Sequence, residues 1–238
     1  MKKLLLFTFA VLYSVTIVAQ TSNNTLSEKE KKQGWVLLFN GSNLDGWTSV
    51  GKDTPPEKGW TVENGVLIVN KGGPQKGGDI NTKDEYGDFD LCFDFKLTKG
   101  ANSGVKYFFH KYDEGGWLGN EYQVLDDDAH PDAQLGANGN RKTASLYDVF
   151  PPTGKKQMNP VGEWNQARVV AKGSKVTHYL NGKKVLTYDR QSQAYKDAVL
   201  NISKFKNAKP LFGTVAKGYI HIQDHQDEVH YRNIKIKE

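Results

Sequence analysis

The segment "DFDLCFDFKL", residues 88–97, alternates strictly between polar and apolar side chains. Its apolar members occupy the odd positions from Phe89 to Leu97, whereas aspartate, cysteine and lysine occupy the even positions. Successive side chains of a β-strand point to opposite faces, so this segment predicts a strand that covers a core on one side only. Such one-sided strands are typical of antiparallel sheets.

Two Asn-Gly pairs extend this prediction along the chain. Asn181-Gly182 interrupts "KVTHYLNGKKVLTYD", and Asn64-Gly65 interrupts "ENGVLIV". An Asn-Gly pair between β-prone runs is the strongest local signal for a hairpin. With 24 glycines and no sustained helical period, the chain is predicted to be an all-β sandwich or barrel. No repeat or low-complexity linker is present, so one domain is expected.

The N-terminus reads as a targeting segment. "MKKLLLFTFAVLYSVTIVAQ", residues 1–20, has two lysines, an apolar run and the small residue Ala19 near its end, which predicts a secretory signal peptide and a periplasmic or secreted protein. A membrane anchor is the competing interpretation, although the run is at the lower limit of spanning length. N-terminal sequencing of the secreted protein, with loss of about 20 residues, tests the prediction.

The charge of the chain says little about partners. Loss of Lys2 and Lys3 with the signal peptide would lower the formal charge from +5 to +3. The remaining lysines are scattered among acidic residues, so no nucleic-acid partner is predicted, and no membrane contact is predicted after cleavage. Residues 21–33 form an N-terminal segment in which Ser27 is expected to cap a short helix.

Two further strand-like stretches carry polar side chains on one face. "GNEYQVLDDDAH", residues 119–130, alternates Tyr122 and Val124 with Glu121 and Gln123, and "GYIHIQDH", residues 218–225, places Gln223 and His225 on one face. If both strands belong to one concave sheet, these side chains converge in a groove that suits sugar hydroxyls. An ordinary solvated sheet face is the alternative.

Conventional glycosidase and metal patterns are not evident in these stretches. Two acids about 5 Å apart are needed for a retaining mechanism, but no second carboxylate shares the strand face of Glu121. His221 and His225 would lie about 13 Å apart on a strand and could not share an ion. Asp126 to Asp128 could supply oxygen ligands to calcium or form a solvated loop.

Six phrases in order, among them "LFNGSNLDGW", "NEYQVLDD" and "GYIHIQDHQDEVHYRNIKIKE", resemble the 3-keto-disaccharide hydrolase domain family. The similarity covers residues 34–238, essentially the whole mature chain. The resemblance implies a concanavalin A-like jelly roll of two curved antiparallel sheets, and an exported bacterial protein that acts on sugars.

The resemblance also assigns site residues. The catalytic pair would be Glu121 and His225. The substrate-binding residues would be Asn102, Ser103, Lys106, Gln123, Asp126, Tyr147, Gln223 and Arg232. Two departures from the family pattern are Lys106, where an arginine is usual nearby, and Gln226, where a glycine is usual.

The leading hypothesis is an enzyme that cleaves glycosides already oxidised at C3. The ketone acidifies the C2 hydrogen, so Glu121 or His225 could remove it as a base while Gln223, a lysine or a metal ion stabilises the enolate oxygen. The cofactor is left open, with a divalent metal ion as the candidate. A lectin-like carbohydrate-binding module is the alternative, and a two-carboxylate glycanase is a third interpretation.

Overall fold

The computed structural model of the chain describes residues 23–72, 76–206 and 211–238. The predicted signal peptide therefore lies outside the described residues. Within them, no helix has both the length and the apolar character needed to cross a membrane. Ser27 accepts a hydrogen bond from the Glu30 N–H and begins a short helix, α1 (Glu28–Lys32), as its position in the sequence predicts.

Strands dominate the rest of the described chain. The first seven are β1 (Val36–Leu37), β2 (Trp47–Ser49), β3 (Trp60–Glu63), β4 (Val66–Val69), β5 (Ile80–Tyr86), β6 (Phe89–Leu97) and β7 (Asn102–Tyr112). The others are β8 (Gly116–Leu125), β9 (Trp164–Lys172), β10 (Lys175–Leu180), β11 (Lys183–Asp189), β12 (Gly218–Ile222) and β13 (Val229–Lys237). Between them lie a 3₁₀ turn (Pro131–Gln134), a second helix, α2 (Gln193–Asp197), and a π-helical turn (Ala198–Ile202).

The strands form two antiparallel sheets. The back sheet has the order β11-β10-β9-β6-β13-β4-β3, with β1 also paired to β13, and the front sheet has the order β2-β5-β12-β7-β8. Asn181-Gly182 and Asn64-Gly65 are the turns of the β10-β11 and β3-β4 hairpins, and all four residues have positive φ. Both predicted hairpins are confirmed. Two-residue turns with positive φ are favoured in hairpins because their backbone twist matches that of the flanking strands.

The core lies between the two sheets and is rich in aromatic rings. Alternate residues of β6 are buried from Phe89 to Leu97, which confirms the face predicted from the sequence. Phe93 of the back sheet packs edge-on against Tyr122 of the front sheet, with ring centroids 5.5 Å apart. Rings in this arrangement stabilise the contact beyond their buried area.

A polar chain of hydrogen bonds crosses one end of this core. Tyr107 contacts His178 at 2.6 Å and Tyr188 at 2.7 Å, and Asn120 donates to the Tyr188 hydroxyl. Burial lowers the pKa of His178 to about 4, so the ring is neutral at pH 7. The buried polar groups therefore satisfy one another without a buried charge.

The pairing register of the front sheet determines which side chains lie next to one another on its outer face. Cα partners run across all five strands, from Thr48 through Asn81, His221 and Lys106 to Glu121. Directly paired residues of antiparallel strands share a face. Side chains from β12, β7 and β8 consequently meet on the face of the front sheet that points away from the core.

Candidate active site

A cavity of about 430 Å³ lies over the front sheet at β12, β7 and β8. Seven of the predicted site residues line it: Asn102, Lys106, Glu121, Gln123, Tyr147, Gln223 and His225. The two stretches that alternation singled out do belong to one sheet, with β7 between them. The volume is within the range of small-molecule sites.

Glu121 is the most deeply placed acid of this cavity. Its side chain leaves β8 on the face opposite Tyr122, and the residue is 6% exposed. Burial raises the pKa of the Glu121 carboxyl above its ordinary value of 4.5, while Lys106 opposes that shift. The Lys106 Nζ is 3.8 Å from Glu121 Oε2, too far for a direct hydrogen bond. Glu121 is thus able to hold a proton at a higher pH than a surface glutamate.

The absence of a side chain at Gly104 leaves space for Glu121 and Gln223 on the floor of the cavity. A Cβ at position 104 would lie 2.1 Å from Gln223 Oε1 and 2.8 Å from Glu121 Oε1. Gln223 Oε1 is buried and has no hydrogen-bond partner in the described chain, and Asn102 Oδ1 is in the same condition. Buried acceptors without a partner are costly, so these two amides are suited to bind hydroxyl groups of a ligand.

His225 lies at the rim of the cavity, just beyond the end of β12. The residue is exposed, but desolvation by its neighbours lowers the pKa of its ring below 6.5. Asp79 opposes this shift, and repulsion from Lys106 adds to it. The ring is therefore neutral at pH 7 and can accept a proton. Two hydrogen bonds from backbone N–H groups hold the segment around it: Gln223 N–H donates to Gly104 O at 3.0 Å, and Asn102 N–H donates to the Asp227 carboxylate at 3.0 Å.

The opposite wall is a hydrogen-bonded group around Tyr147. Its hydroxyl donates to Asp132 Oδ2 at 2.7 Å and accepts from Lys204 Nζ at 2.9 Å. Arg141 binds the other oxygen of Asp132 at 2.9 Å. Desolvation lowers the pKa of Lys204, although Glu121 and Asp132 counteract it. This wall brings a cation and a phenol hydroxyl to the cavity.

Three predicted substrate-binding residues, Ser103, Arg232 and Asp126, do not line the cavity. The first two point elsewhere in the fold. Ser103 faces the core, where its hydroxyl donates to Gln223 O at 2.8 Å and accepts from Tyr231 at 2.8 Å. Arg232 is on the back sheet, 3.3 Å from Asp94 and 4.0 Å above the Trp164 ring. Neither side chain touches the cavity over the front sheet, because alternation and sheet order direct both elsewhere.

Asp126 shapes the loop after β8. Its carboxylate accepts backbone N–H groups of Gly100, Asp128 and Ala129 at 2.8 to 3.1 Å. Burial would raise the pKa of Asp126, but these hydrogen bonds outweigh it and lower that pKa. A carboxylate occupied in this way orders the loop that carries Asp127 and His130, and it does not line the cavity.

Five residues of the cavity were missed from the sequence: His130, Asp132, Lys204, Phe205 and Asp227. His130 and Asp132 flank Pro131 in a 3₁₀ turn, and "HPD" is the one local signal that could have suggested an ordered turn there. Lys204 and Phe205 come from the segment after α2, far from the other residues in sequence. Only the folded chain brings that segment to the front sheet.

The backbone at Gln226, where a glycine is usual in the family, has the conformation that glycine favours. Gln226 has φ of +67°, in the left-handed region that favours glycine. Its N–H donates to Asp224 Oδ1, and Asp224 Oδ2 accepts the N–H groups of Gly77 and Gly78 at 3.0 and 2.9 Å. These contacts hold the turn after His225 in spite of the unfavourable residue.

A metal site is not evident from the side chains. Across the described residues, no group of three or more histidine, cysteine, aspartate or glutamate side chains is arranged to hold an ion. The spacing in the sequence predicted that His221 and His225 could not bind one ion together. In the structure, His221 contacts Asp79 Oδ2 at 3.1 Å. The divalent metal ion therefore stays a candidate that the donor set does not specify.

Substitution of Gly104 by alanine should reduce activity without unfolding the protein. The added methyl group must displace Gln223 or Glu121, while the extended backbone at Gly104 accepts alanine without strain. We expect a loss of about 10-fold or more in kcat/KM on a substrate that binds in this cavity, with an unchanged circular dichroism spectrum. Gly87→Ala, outside the cavity and without positive φ, is the control for an added methyl group, since the nearest atom to a Cβ there is Ala216 O at 3.2 Å. Equal activity of Gly104→Ala and wild type would contradict the geometry.

Comparison with known proteins agrees with this architecture. Residues 34–237 match the 3-keto-alpha-glucoside-1,2-lyase-like domain family. A 3-keto-disaccharide hydrolase of Bacteroides thetaiotaomicron is 35% identical over 253 residues, which cover 96% of this chain and 86% of that protein. The resemblance noted in the sequence and the assignment to an enzyme family are confirmed.

Solved structures show the same fold. A candidate glycosyl hydrolase from Parabacteroides distasonis has a TM-score of 0.77 and 34% identity, covering 91% of this chain and 99% of that chain. A β-glucanase from Bacillus licheniformis, 11% identical with a TM-score of 0.52 over 86% of this chain and 98% of that chain, shares the fold alone. The predicted concanavalin A-like sandwich is confirmed. The chain belongs to the 3-keto-alpha-glucoside-1,2-lyase-like domain family.

Proposed function

We propose that this protein is an exported enzyme that cleaves 3-keto-glycosides by removal of the C2 proton, β-elimination and net hydrolysis. The observation that carries the proposal is the pairing of Glu121, whose pKa is raised, with His225, whose pKa is lowered, in one cavity. Titratable groups whose environments push their pKa values apart mark the acid and the base of a site. A sugar-binding protein has no need of that separation.

In the first step, the neutral His225 accepts the proton from C2 of the keto sugar. The electrons of the C2–H bond form the enolate, whose negative charge develops on the C3 oxygen. Lys106 and Lys204 both line the cavity and supply positive charge for that oxygen, and the Tyr147 hydroxyl lies beside Lys204. Charges placed in advance where the transition state needs them lower the barrier without reorganisation.

In the second step, the C1–O bond breaks and C1=C2 forms. Glu121, which burial keeps prone to protonation, donates a proton to the departing glycosidic oxygen. Water then adds at C1 and a proton returns to C2, so the overall result is hydrolysis. Asn102 and Gln223 present unpartnered amide oxygens that can accept hydrogen bonds from sugar hydroxyls during both steps.

An ordinary two-carboxylate mechanism fits the cavity less well. Asp132 and Asp227 line it together with Glu121. Both oxygens of Asp132 already accept hydrogen bonds, from Arg141 and Tyr147, and Asp227 accepts the Asn102 N–H. Asp132 therefore has no oxygen without a hydrogen bond, and one oxygen of Asp227 is engaged, which favours a supporting role for both acids over that of a nucleophile.

The proposal is tested with matched disaccharides, one native and one oxidised at C3, with and without a chelator. We expect turnover of the keto form alone. Turnover of the native disaccharide would indicate a conventional glycosidase, and binding of either sugar without turnover would indicate a carbohydrate-binding module. Loss of turnover with the chelator, restored by a divalent ion, would assign the metal, whose Lewis-acid effect would act on the C3 oxygen.

A further inference from the structure

A second cavity, of about 310 Å³, lies on the same face of the front sheet. Its walls include Trp117 of β8, Tyr219 of β12, and Thr48 and Asn81 of β2 and β5, and the loop Gly51–Asp53 closes one side. None of these residues belongs to the proposed reaction pocket. The cavity is at the lower end of the volume range of ligand sites and could hold one small polar ring.

The two cavities share a continuous floor. Asn81 pairs in register with His221, His221 with Lys106, and Lys106 with Glu121. Neighbouring strands are about 4.8 Å apart, so Asn81 and Glu121 are about 14 Å apart across the sheet, more than the width of one sugar ring. The Phe109 ring bridges the middle, stacked on Trp117 at 5.3 Å and 4.0 Å from the His221 ring.

A bulge in β7 produces this floor. Phe108 has φ of +50°, and the β7-β8 register shifts between Tyr107 and His110. Tyr107 and Phe108 are both buried, and the guanidinium of Arg190 covers Phe108 at 3.6 Å. The next side chain, Phe109, is thereby directed to the cavity face, which is a common use of bulges beside sites.

The chemistry of the second cavity suits a sugar ring. Trp117 and Tyr219 present aromatic surface, with ring centroids 6.1 Å apart. Asn81 is 5% exposed, and its Oδ1 is buried without a partner although its amide nitrogen donates to Thr82 O at 2.7 Å. Aromatic surface beside an unpartnered hydrogen-bond acceptor is a combination suited to binding a pyranose.

We propose that the cavity of Trp117, Tyr219 and Asn81 is a binding subsite for the aglycone sugar, the ring that leaves when the C1–O bond breaks. The inference rests on the proposed function, because that function places the keto sugar over Glu121 and His225. The preferred substrates are then 3-keto-disaccharides or longer glycosides whose leaving group is a neutral pyranose, and glycosides with a small aglycone leave this subsite empty.

The test compares two substrates, a 3-keto-glucosyl disaccharide and methyl 3-keto-glucoside. For Trp117→Ala we expect kcat/KM on the disaccharide to fall about 10-fold or more, and kcat/KM on the methyl glycoside to stay within about twofold of wild type. Trp117→Phe should recover most of the loss. Trp164→Ala is the control: it removes a half-buried tryptophan of the back sheet and should leave kcat/KM unchanged on both substrates.

Equal losses on both substrates, or no loss on either, would overturn the subsite. If wild type turns over neither substrate, the proposed function fails, and titration of the unmodified disaccharide followed by NMR decides the subsite separately. The subsite would be retained if the disaccharide binds wild type and binds Trp117→Ala with about 10-fold lower affinity. Absence of binding, or equal binding to both proteins, would reject it.

Discussion

Replacement of Glu121 by glutamine is expected to lower kcat on a 3-keto-disaccharide by about 10²-fold or more. Glutamine keeps the size of the side chain and its place over Gly104, but it cannot donate a proton to the leaving oxygen. The glycosidic oxygen would then depart as an anion. Steady-state kinetics on disaccharides with leaving groups of different acidity measure this, since the loss should shrink as the leaving group improves.

Folding should survive this substitution. The raised pKa of Glu121 means that the folded state resists its ionisation, so this residue destabilises the fold increasingly as pH rises through that pKa. Removing the charge should leave the thermal midpoint at pH 7 equal to or above that of wild type. Glu63→Gln, at the exposed end of β3, is the matched control and should retain full activity. Full activity of Glu121→Gln would remove Glu121 from the mechanism.

Replacement of His225 by alanine in the wild-type protein is expected to lower kcat/KM by a similar factor, about 10²-fold or more. The neutral ring is the proposed base, so the acid limb of the pH profile should follow its pKa, which lies below 6.5. As pH falls through that pKa, the ring becomes protonated and activity declines. The alanine variant should lack this limb, which a pH–rate profile of kcat/KM would show.

The control for this variant is His230→Ala. His230 lies on β13 of the back sheet and contacts Glu228 at 2.8 Å, so its loss should leave both rate and profile unchanged. An acid limb that persists in His225→Ala would transfer the role of base to another group. A uniform loss at every pH would indicate that His225 positions the substrate.

Most of the fold could be predicted from the sequence because its signals are local. The alternation of residues 88–97 depends only on neighbouring residues, and the Asn-Gly pairs carry positive φ wherever they occur in a two-residue turn. The arrangement in two curved antiparallel sheets was implied by the resemblance alone, and no order of strands was predicted. Nothing in the periodicity indicates that β7 separates β12 from β8.

The candidate site was predictable where strand faces carry it. Glu121 and Gln123 alternate with buried Tyr122 and Val124, so their common face could be predicted from β8 alone. Arg232 illustrates the limit, because a motif position does not say which sheet a residue joins, and β13 pairs with β6 and β4. Lys204 reaches the cavity through a tertiary contact with Tyr147 that no sequence pattern announces.

The most direct test of the proposed mechanism is the fate of the C2 hydrogen when a 3-keto-disaccharide is cleaved in deuterium oxide. Proton removal followed by re-addition predicts one deuterium at C2 of the released keto sugar, measurable by NMR. The C4 hydrogen flanks the same ketone and provides an internal reference for spontaneous exchange. Label at C2 well above that at C4 is the predicted result. Product that forms at the full rate with its original hydrogen at C2 would contradict elimination, whichever residue acts as the base.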